Sequence, residues 1–401
     1  MPLHDVGYRA WRGDRRGPAA TIATIALTGI RLAWTSRWLR RMVFFAWSPA
    51  LVFAPIFFAF EQAVDEGRLG KMRDSVLRDS TLDGVGLLGA MLVNTLSQGA
   101  RRPAVIVDDE EPADAAVEAA RTRRLVWARL LLAFVRVPQA LLLAIIIGLI
   151  APTLISSDLR AKAWLIYFTR PVGRLEYVLG KASILAVLVA AVTVLPSLAL
   201  WILGVLVSPS ISVAVDTWDL PLRVVAASVV LAVPTVLVAL AYSSLTAESR
   251  IATFAWFATW AACWITHATL TKADEVAATR RGPAVAAAGA WSGRPAVSQS
   301  RDDRSGDRAW ADAEGAAAEA LRLQPRTGAR FSWLMKAAGI DATLDRWAWI
   351  SPYHALGVVQ AWVFGIETRP RAVVPPLVSL VAVSLVAVLV LFDRIAAPTR
   401  V

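Results

Sequence analysis

Six stretches of about 20 residues carry no Asp, Glu, Lys or Arg: Met42–Phe60, Val137–Leu154, Ile184–Val207, Val224–Tyr242, Ile251–Leu270 and Val373–Phe392. That length crosses roughly 30 Å of hydrocarbon. No water is available there, so the backbone must satisfy its own hydrogen bonds and each run must be helical. Pro49, Pro55, Pro152, Pro196 and Pro234 then predict kinks rather than breaks. The expected fold is an all-α integral membrane protein with six transmembrane helices. Composition agrees. Hydrophobic residues are 57% and charged residues 18%, against about 45–50% and about 25% in soluble domains. Mean hydropathy is +0.54. A small secreted scaffold, a disordered chain and a typical cytosolic enzyme are excluded.

The net charge is +11. The basic residues flank apolar runs, so they orient the chain in a membrane rather than bind nucleic acid. Residues 1–41 hold eight Arg against Asp5 and Asp14. Residues 155–181 hold Arg160, Lys162, Arg170, Arg174 and Lys181 against Asp158 and Glu176, whereas 208–222 hold only Asp216 and Asp219. The N-terminus and the 155–181 loop are therefore expected in the cytoplasm and 208–222 outside. Six crossings return the C-terminus, with Arg394 and Arg400, to the cytoplasm. Arg121, Arg123, Arg124, Arg129 and Arg136 oppose this sign rule, but they end a long outer loop, where the rule weakens. Arg outnumbers Lys 37 to 5, the bias of GC-rich coding, so a bacterial inner membrane is the expected site.

Catalytic signatures are absent. No G-x-x-x-x-G-K-[ST], H-E-x-x-H or G-x-S-x-G occurs. Cys263 is the single cysteine, and His4, His267 and His354 are the only histidines. The chain is thus not read as an enzyme, and no cofactor or metal of its own is expected. No ionisable pair is expected mid-membrane.

Organisation follows from the spans. Residues 1–41 form a cytoplasmic N-terminus and an elbow, and 42–270 hold spans one to five with a long outer loop at 61–124. Residues 271–346 are a long outer loop, partly disordered by composition, and 347–401 complete the chain. Ile30–Met42 interleaves Trp34, Trp38 and Leu39 with Arg31, Arg37, Arg40 and Arg41, a basic amphipathic helix suited to the anionic inner leaflet and its lipids. In the 155–181 loop, Ser157 or Asp158 can cap a helix that Arg170-Pro171 ends, with Pro171 seating the next. Such a helix, joined to two spans, is a mechanical lever; it also has the makings of a plain basic anchor. Trp256, Trp260 and Trp264 share one face of span five, as a substrate path or as a packing stripe. Trp347–Ile366 is uncharged but interrupted by Ser351-Pro352 and Gly357, so a re-entrant outer segment is favoured over a seventh span.

The pieces Asp158-Leu159-Arg160, Tyr167-Phe168-Thr169-Arg170-Pro171 and Glu176-Tyr177-x-x-Gly180-Lys181 resemble the permease subunit of bacterial type-two ABC transporters. His4-Asp5-Val6-Gly7-Tyr8 and Ser351-Pro352-Tyr353-His354 add to the likeness. The resemblance implies a homodimer or paired permease bound to separate ATP-binding subunits, which carry ATP and Mg, and a role in transport, with export the expected direction. It also implies that Ile30–Met42 is an elbow helix and that Asp158–Thr169 is a coupling helix. Asp158, Arg160, Arg170, Arg174, Glu176 and Lys181 are then the candidate ATPase-coupling residues. The alternative is a non-transporting membrane scaffold or sensor. The topology is testable with Cys263 replaced: single cysteines at Ser212 and Arg394 should react with an impermeant thiol reagent from opposite sides of sealed cells. Reaction from the same side would exclude six crossings.

Overall fold

The computed structural model describes residues 17–65, 112–138, 142–163, 172–208, 210–292 and 346–396. Among them the structure is helical throughout, with no strand: α1 (Pro18–Thr35), α2 (Arg37–Ala46), α3 (Ser48–Asp65), α4 (Pro112–Pro138), α5 (Ala144–Arg160), α6 (Arg174–Val207), α7 (Ser212–Asp216), α8 (Asp219–Leu245), α9 (Ser249–Ser292), a 3-10 turn (Ala348–Ile350), α10 (Pro352–Val363) and α11 (Pro370–Ala396).

Four segments are long and apolar enough to cross a membrane: Arg37–Gln62, Arg174–Val207, Asp219–Leu245 and Pro370–Ile395. They match the first, third, fourth and sixth runs. Of the second run, the first two residues end α4 and Ala144–Leu154 lie in the 17-residue α5, while 139–141 lie outside the described residues. The fifth lies in the 44-residue α9, where Thr, Trp and His dilute the apolar character. The chain is thus a multi-pass membrane protein of apolar helices.

α8 is the central post, packed against α11, α5, α6, α10 and α9. Two apolar cores stack along the helices. One joins Ile146, Leu185, Leu240, Trp256 and Leu356; the other joins Phe57, Trp127, Phe134, Leu220 and Phe364. The faces left bare are also apolar: Leu385, Val386 and Leu389 on α11 are more than half exposed. Such faces suit lipid, which offers them no penalty.

α6, at 34 residues, extends about 51 Å, well beyond a bilayer core of roughly 30 Å. Its early turns are covered by α1, whose Pro18–Gly29 part lies before the helix expected at Ile30. Ile25 packs on Gly180 and Gly29 on Ile184; a Cβ on Gly29 would lie 2.1 Å from Ile184 Cδ1, so a larger residue there would displace the Ile184 side chain. The two helices therefore run in the same direction. Trp47 Nε1 then donates to the Ala191 carbonyl at 3.0 Å. The 18 residues from Gly29 to Trp47 would extend about 27 Å as a straight helix, yet they advance only about 10 Å along α6. The chain makes an elbow here. It is not the single helix expected over Ile30–Met42: α1 stops at Thr35, and Ser36 caps α2 by accepting from Leu39 N–H.

α5 and α8 are joined by two buried serines. Ser243 Oγ accepts from Ser156 N–H at 3.1 Å and donates to the Pro152 carbonyl at 2.9 Å, so it sits inside the i to i−4 step of α5. It also lies 3.0 Å from Ile155 N, and Ser156 Oγ donates to the Ser243 carbonyl at 2.9 Å. Ser243→Ala would leave these groups short of a partner. We expect a loss of about 1 kcal/mol, the scale of such bonds in membranes, read by thermal or denaturant unfolding in detergent. Ser183→Ala, whose hydroxyl only back-bonds to Leu179, is the control; equal stability of both variants would refute the inserted-hydroxyl account.

Candidate coupling surface and buried polar cluster

α5 stops at Arg160 in a Schellman motif. Ala163 N–H bonds the Asp158 carbonyl at 2.9 Å and Lys162 N–H the Leu159 carbonyl at 3.2 Å. The motif needs a left-handed residue, usually glycine; here Lys162 takes it, at φ 52°. Ser157 and Asp158 therefore do not begin a helix. They lie in the last turn of α5, with the Ser157 hydroxyl bonded back to the Thr153 carbonyl. The expected helix Asp158–Thr169 is thus occupied at its start by the end of α5, and residues 164–171, Arg170 and Pro171 among them, lie outside the described residues. α6 starts at Arg174, with Gly173 as N-cap and the Glu176 carboxylate accepting from Gly173 N–H at 3.2 Å.

The two ends of this connection are tied together. Asp158 Oδ2 lies 2.8 Å from Lys181 Nζ and accepts from Tyr177 OH at 2.7 Å. The Asp158 and Lys181 side chains are only 17% and 14% exposed, which sets the pair apart from a freely solvated surface bridge. Arg160 donates twice to the Ala247 carbonyl, in the turn between α8 and α9, at 3.3 Å. Four helix ends, those of α5, α6, α8 and α9, therefore meet at this one place. Of the six expected coupling residues, Asp158 and Lys181 touch, Arg160 and Glu176 brace the ends, and Arg174 stands at the start of α6. Tyr177 is the member that spacing alone did not single out, though it sits one turn before Lys181.

The tryptophan stripe divides. Trp256 is 1% exposed and donates to the Ala144 carbonyl at 2.9 Å, while Gly148 makes room for its ring. Trp260 packs on it with ring centroids 5.5 Å apart, and Trp264 is 49% exposed.

The other end of the bundle holds charges that the sequence reading placed on a flank. Arg136 is 1% exposed. Its Nη1 donates to the Tyr353 carbonyl at 2.6 Å, and its guanidinium lies 3.8 Å from the centre of the Tyr353 ring. Gly357 is the space that admits it, since a Cβ there would lie 2.6 Å from the guanidinium carbon. Arg136 is thus buried at a helix contact, where the sequence reading had it among the basic residues that precede the second span. Nearby, His354 stacks on His267 at 3.5 Å. Glu61, 1% exposed, accepts from Trp127 Nε1 at 2.9 Å and pairs with Arg123 at 3.3 Å. Asp219 pairs with Arg124 and Arg223, each at 2.6 Å, and Arg223 also donates to the Val363 carbonyl at 2.8 Å. Below them, Gln360 donates to the Ala227 carbonyl at 3.2 Å. Burial pushes the Glu367 carboxyl up, but hydrogen bonds and charge from Arg369 outweigh it and hold the group below its ordinary value. α10, at 12 residues, extends about 18 Å, too short to cross.

These contacts hold helices together, and among the described residues no group of three or more His, Cys, Asp or Glu is placed to hold a metal. No curated protein was found similar to the chain. A family model described as ABC-2 family transporter protein matches residues 59–395, which is most of the chain, and the protein accordingly belongs to the ABC-2 family of transporter proteins.

Proposed function

We propose that this membrane transport protein is the permease subunit of an ATP-driven exporter, paired as a homodimer or with a related permease and bound to two ATP-binding subunits. The observation that carries this reading is the junction at Asp158, Tyr177 and Lys181, with Arg160 reaching Ala247. Force applied to the 161–173 connection reaches α5 and α6 directly and α8 and α9 through one backbone contact. ATP binding and hydrolysis belong to the partner; this chain supplies the lever and the path. The spans would rock between inward- and outward-open states, and a substrate must prefer the two states differently for transport to be driven.

Six crossings complete the proposal: the four apolar segments, α4 with α5 as the second, and α9 as the fifth. The junction end then faces the cytoplasm of a bacterial inner membrane, with both termini. α10 forms a re-entrant element on the outer side. Trp256 is the packing member of its stripe, and Trp260 with Trp264 are the part proposed to face the substrate.

Arg170 and Arg174 flank the connection, and an arginine fork suits carboxylates on a partner. Reversing one charge at such a contact turns attraction into repulsion worth several kcal/mol. Arg170→Glu and Arg174→Glu should therefore weaken co-purification of the ATP-binding subunit about tenfold or more, or uncouple its hydrolysis from transport, while the protein still inserts. Arg280→Glu, late in α9 and on the outer side in this proposal, should be nearly silent. If the loop variants bind and couple like the unmodified protein, the scaffold or anchor reading is the better one.

A further inference from the structure

Where the elbow leaves α6 it does not close on α5. The gap is a cleft of about 810 Å³ between α1, α2, α5 and α6, within the size range of sites for small amphiphilic molecules. Its lining is mixed. Ile25, Leu32, Leu39, Leu149, Leu154 and Ile184 supply apolar surface from all four helices. Ser36, Ser157, Asp158, Tyr177 and Lys181 supply polar groups. Trp38, 45% exposed, stands at its edge, as indoles do at a membrane surface.

Arg31, Arg37, Arg40 and Arg41 alternate in the chain with the lining residues Leu32, Ser36, Trp38 and Leu39, all four are exposed, and no Asp or Glu occurs from Arg15 to Phe60. Among the described residues that line the cleft, Asp158 is the one acid, and Lys181 pairs with it. A cleft with apolar and hydroxyl lining, and four exposed arginines interleaved in the chain with its lining residues, selects a molecule with a hydrocarbon tail and an anionic head.

We infer that this cleft binds one anionic phospholipid, its acyl chain on the apolar residues of α1 and α5 and its phosphate among the arginines of the elbow. The lipid fills the space that the elbow opens, and it touches the Asp158–Tyr177–Lys181 junction directly. Its presence therefore bears on the same helix ends that the ATP-binding subunit is proposed to move. The site rests on that reading only for its effect on coupling, not for binding itself.

The test uses the full chain reconstituted in vesicles of phosphatidylcholine with phosphatidylglycerol, then extracted gently and weighed intact by native mass spectrometry. The unmodified protein should retain one phosphatidylglycerol per chain in preference to phosphatidylcholine. Leu149→Trp fills the cleft from the α5 side and Thr28→Trp from the α1 side, where Thr28 is exposed. Each should lower retention about tenfold while the thermal midpoint holds. Arg37→Gln with Arg40→Gln should erase the headgroup preference, by roughly tenfold or more, and leave the chain bound. Undiminished phosphatidylglycerol in both filled variants overturns the site. Equal retention of the two lipids by the unmodified protein overturns its anionic selectivity. No retained lipid at all overturns it in favour of a protein occupant, such as residues 1–16 of this chain. Co-purification of the ATP-binding subunit with the filled variants is scored separately: its survival with lipid lost supports the site alone, and its loss in the unmodified protein counts against the transporter reading alone.

Discussion

The Ser243 hydroxyl occupies the gap in the backbone ladder of α5 between Pro152 and Ser156, and the placement of the junction depends on it. A hydroxyl inserted between a helical N–H and the carbonyl four residues before it opens that step of the ladder and bends the axis. In hydrocarbon the disturbed groups must find partners within the protein. Here α8 supplies one, and the reciprocal bond from Ser156 to the Ser243 carbonyl fixes the register of the two helices. With that register set, the last turn of α5 reaches the level of Tyr177 and Lys181 on α6, and Arg160 reaches Ala247. The ion pair and the Schellman turn refine a position that two neutral hydroxyls have already chosen.

Much of this was legible in residue order. Charge-free length marks Arg174–Val207, Asp219–Leu245 and Pro370–Ile395, because a bilayer imposes one coarse requirement that any apolar sequence satisfies. Asp158 and Lys181 were named from the loop, and the structure brings them together. The helix end at Arg160 was misread because Ser157-Asp158 is a favourable start signal and Lys162 carries no stop signal; a lysine in the left-handed region looks like any other lysine. Ser243 could not be found at all, since a lone serine in an apolar run has no partner until two helices are aligned. Arg136 was taken for a flanking charge, because its position in sequence precedes the second run. Only the fold shows α4 descending into the bundle, with Gly357 vacating the volume that the guanidinium needs.

The two ends of the molecule are held by different chemistry. At the far end, Glu61, Asp219, Arg123, Arg124, Arg223 and Arg136 knit α3, α4, α8 and α10 through charged contacts, several of them deeply buried. Losing one partner of a buried pair costs about 3–5 kcal/mol. At the junction end, one partly enclosed ion pair, Asp158 with Lys181, stands among serine hydroxyls and close glycine contacts such as Gly29 on Ile184, and hydroxyl bonds in membranes are worth nearer 0.6 kcal/mol each. A load on the bundle meets the weaker set first.

In the proposed mechanism this asymmetry sets where motion begins. A push on the connection between α5 and α6 acts where helices separate at low cost and where the elbow leaves a cleft rather than a packed interface. The charged collar at the other end resists the same displacement, so it behaves as the pivot. The short α10 sits against that pivot, with its first turn on Arg136 and its last residues on Arg223. A rocking of α8 about the collar would then shift α10 only as far as those two arginines allow. Small displacements near the collar become larger ones near the junction, the direction in which a lever of fixed length amplifies, and the far end can open only when the collar itself rearranges.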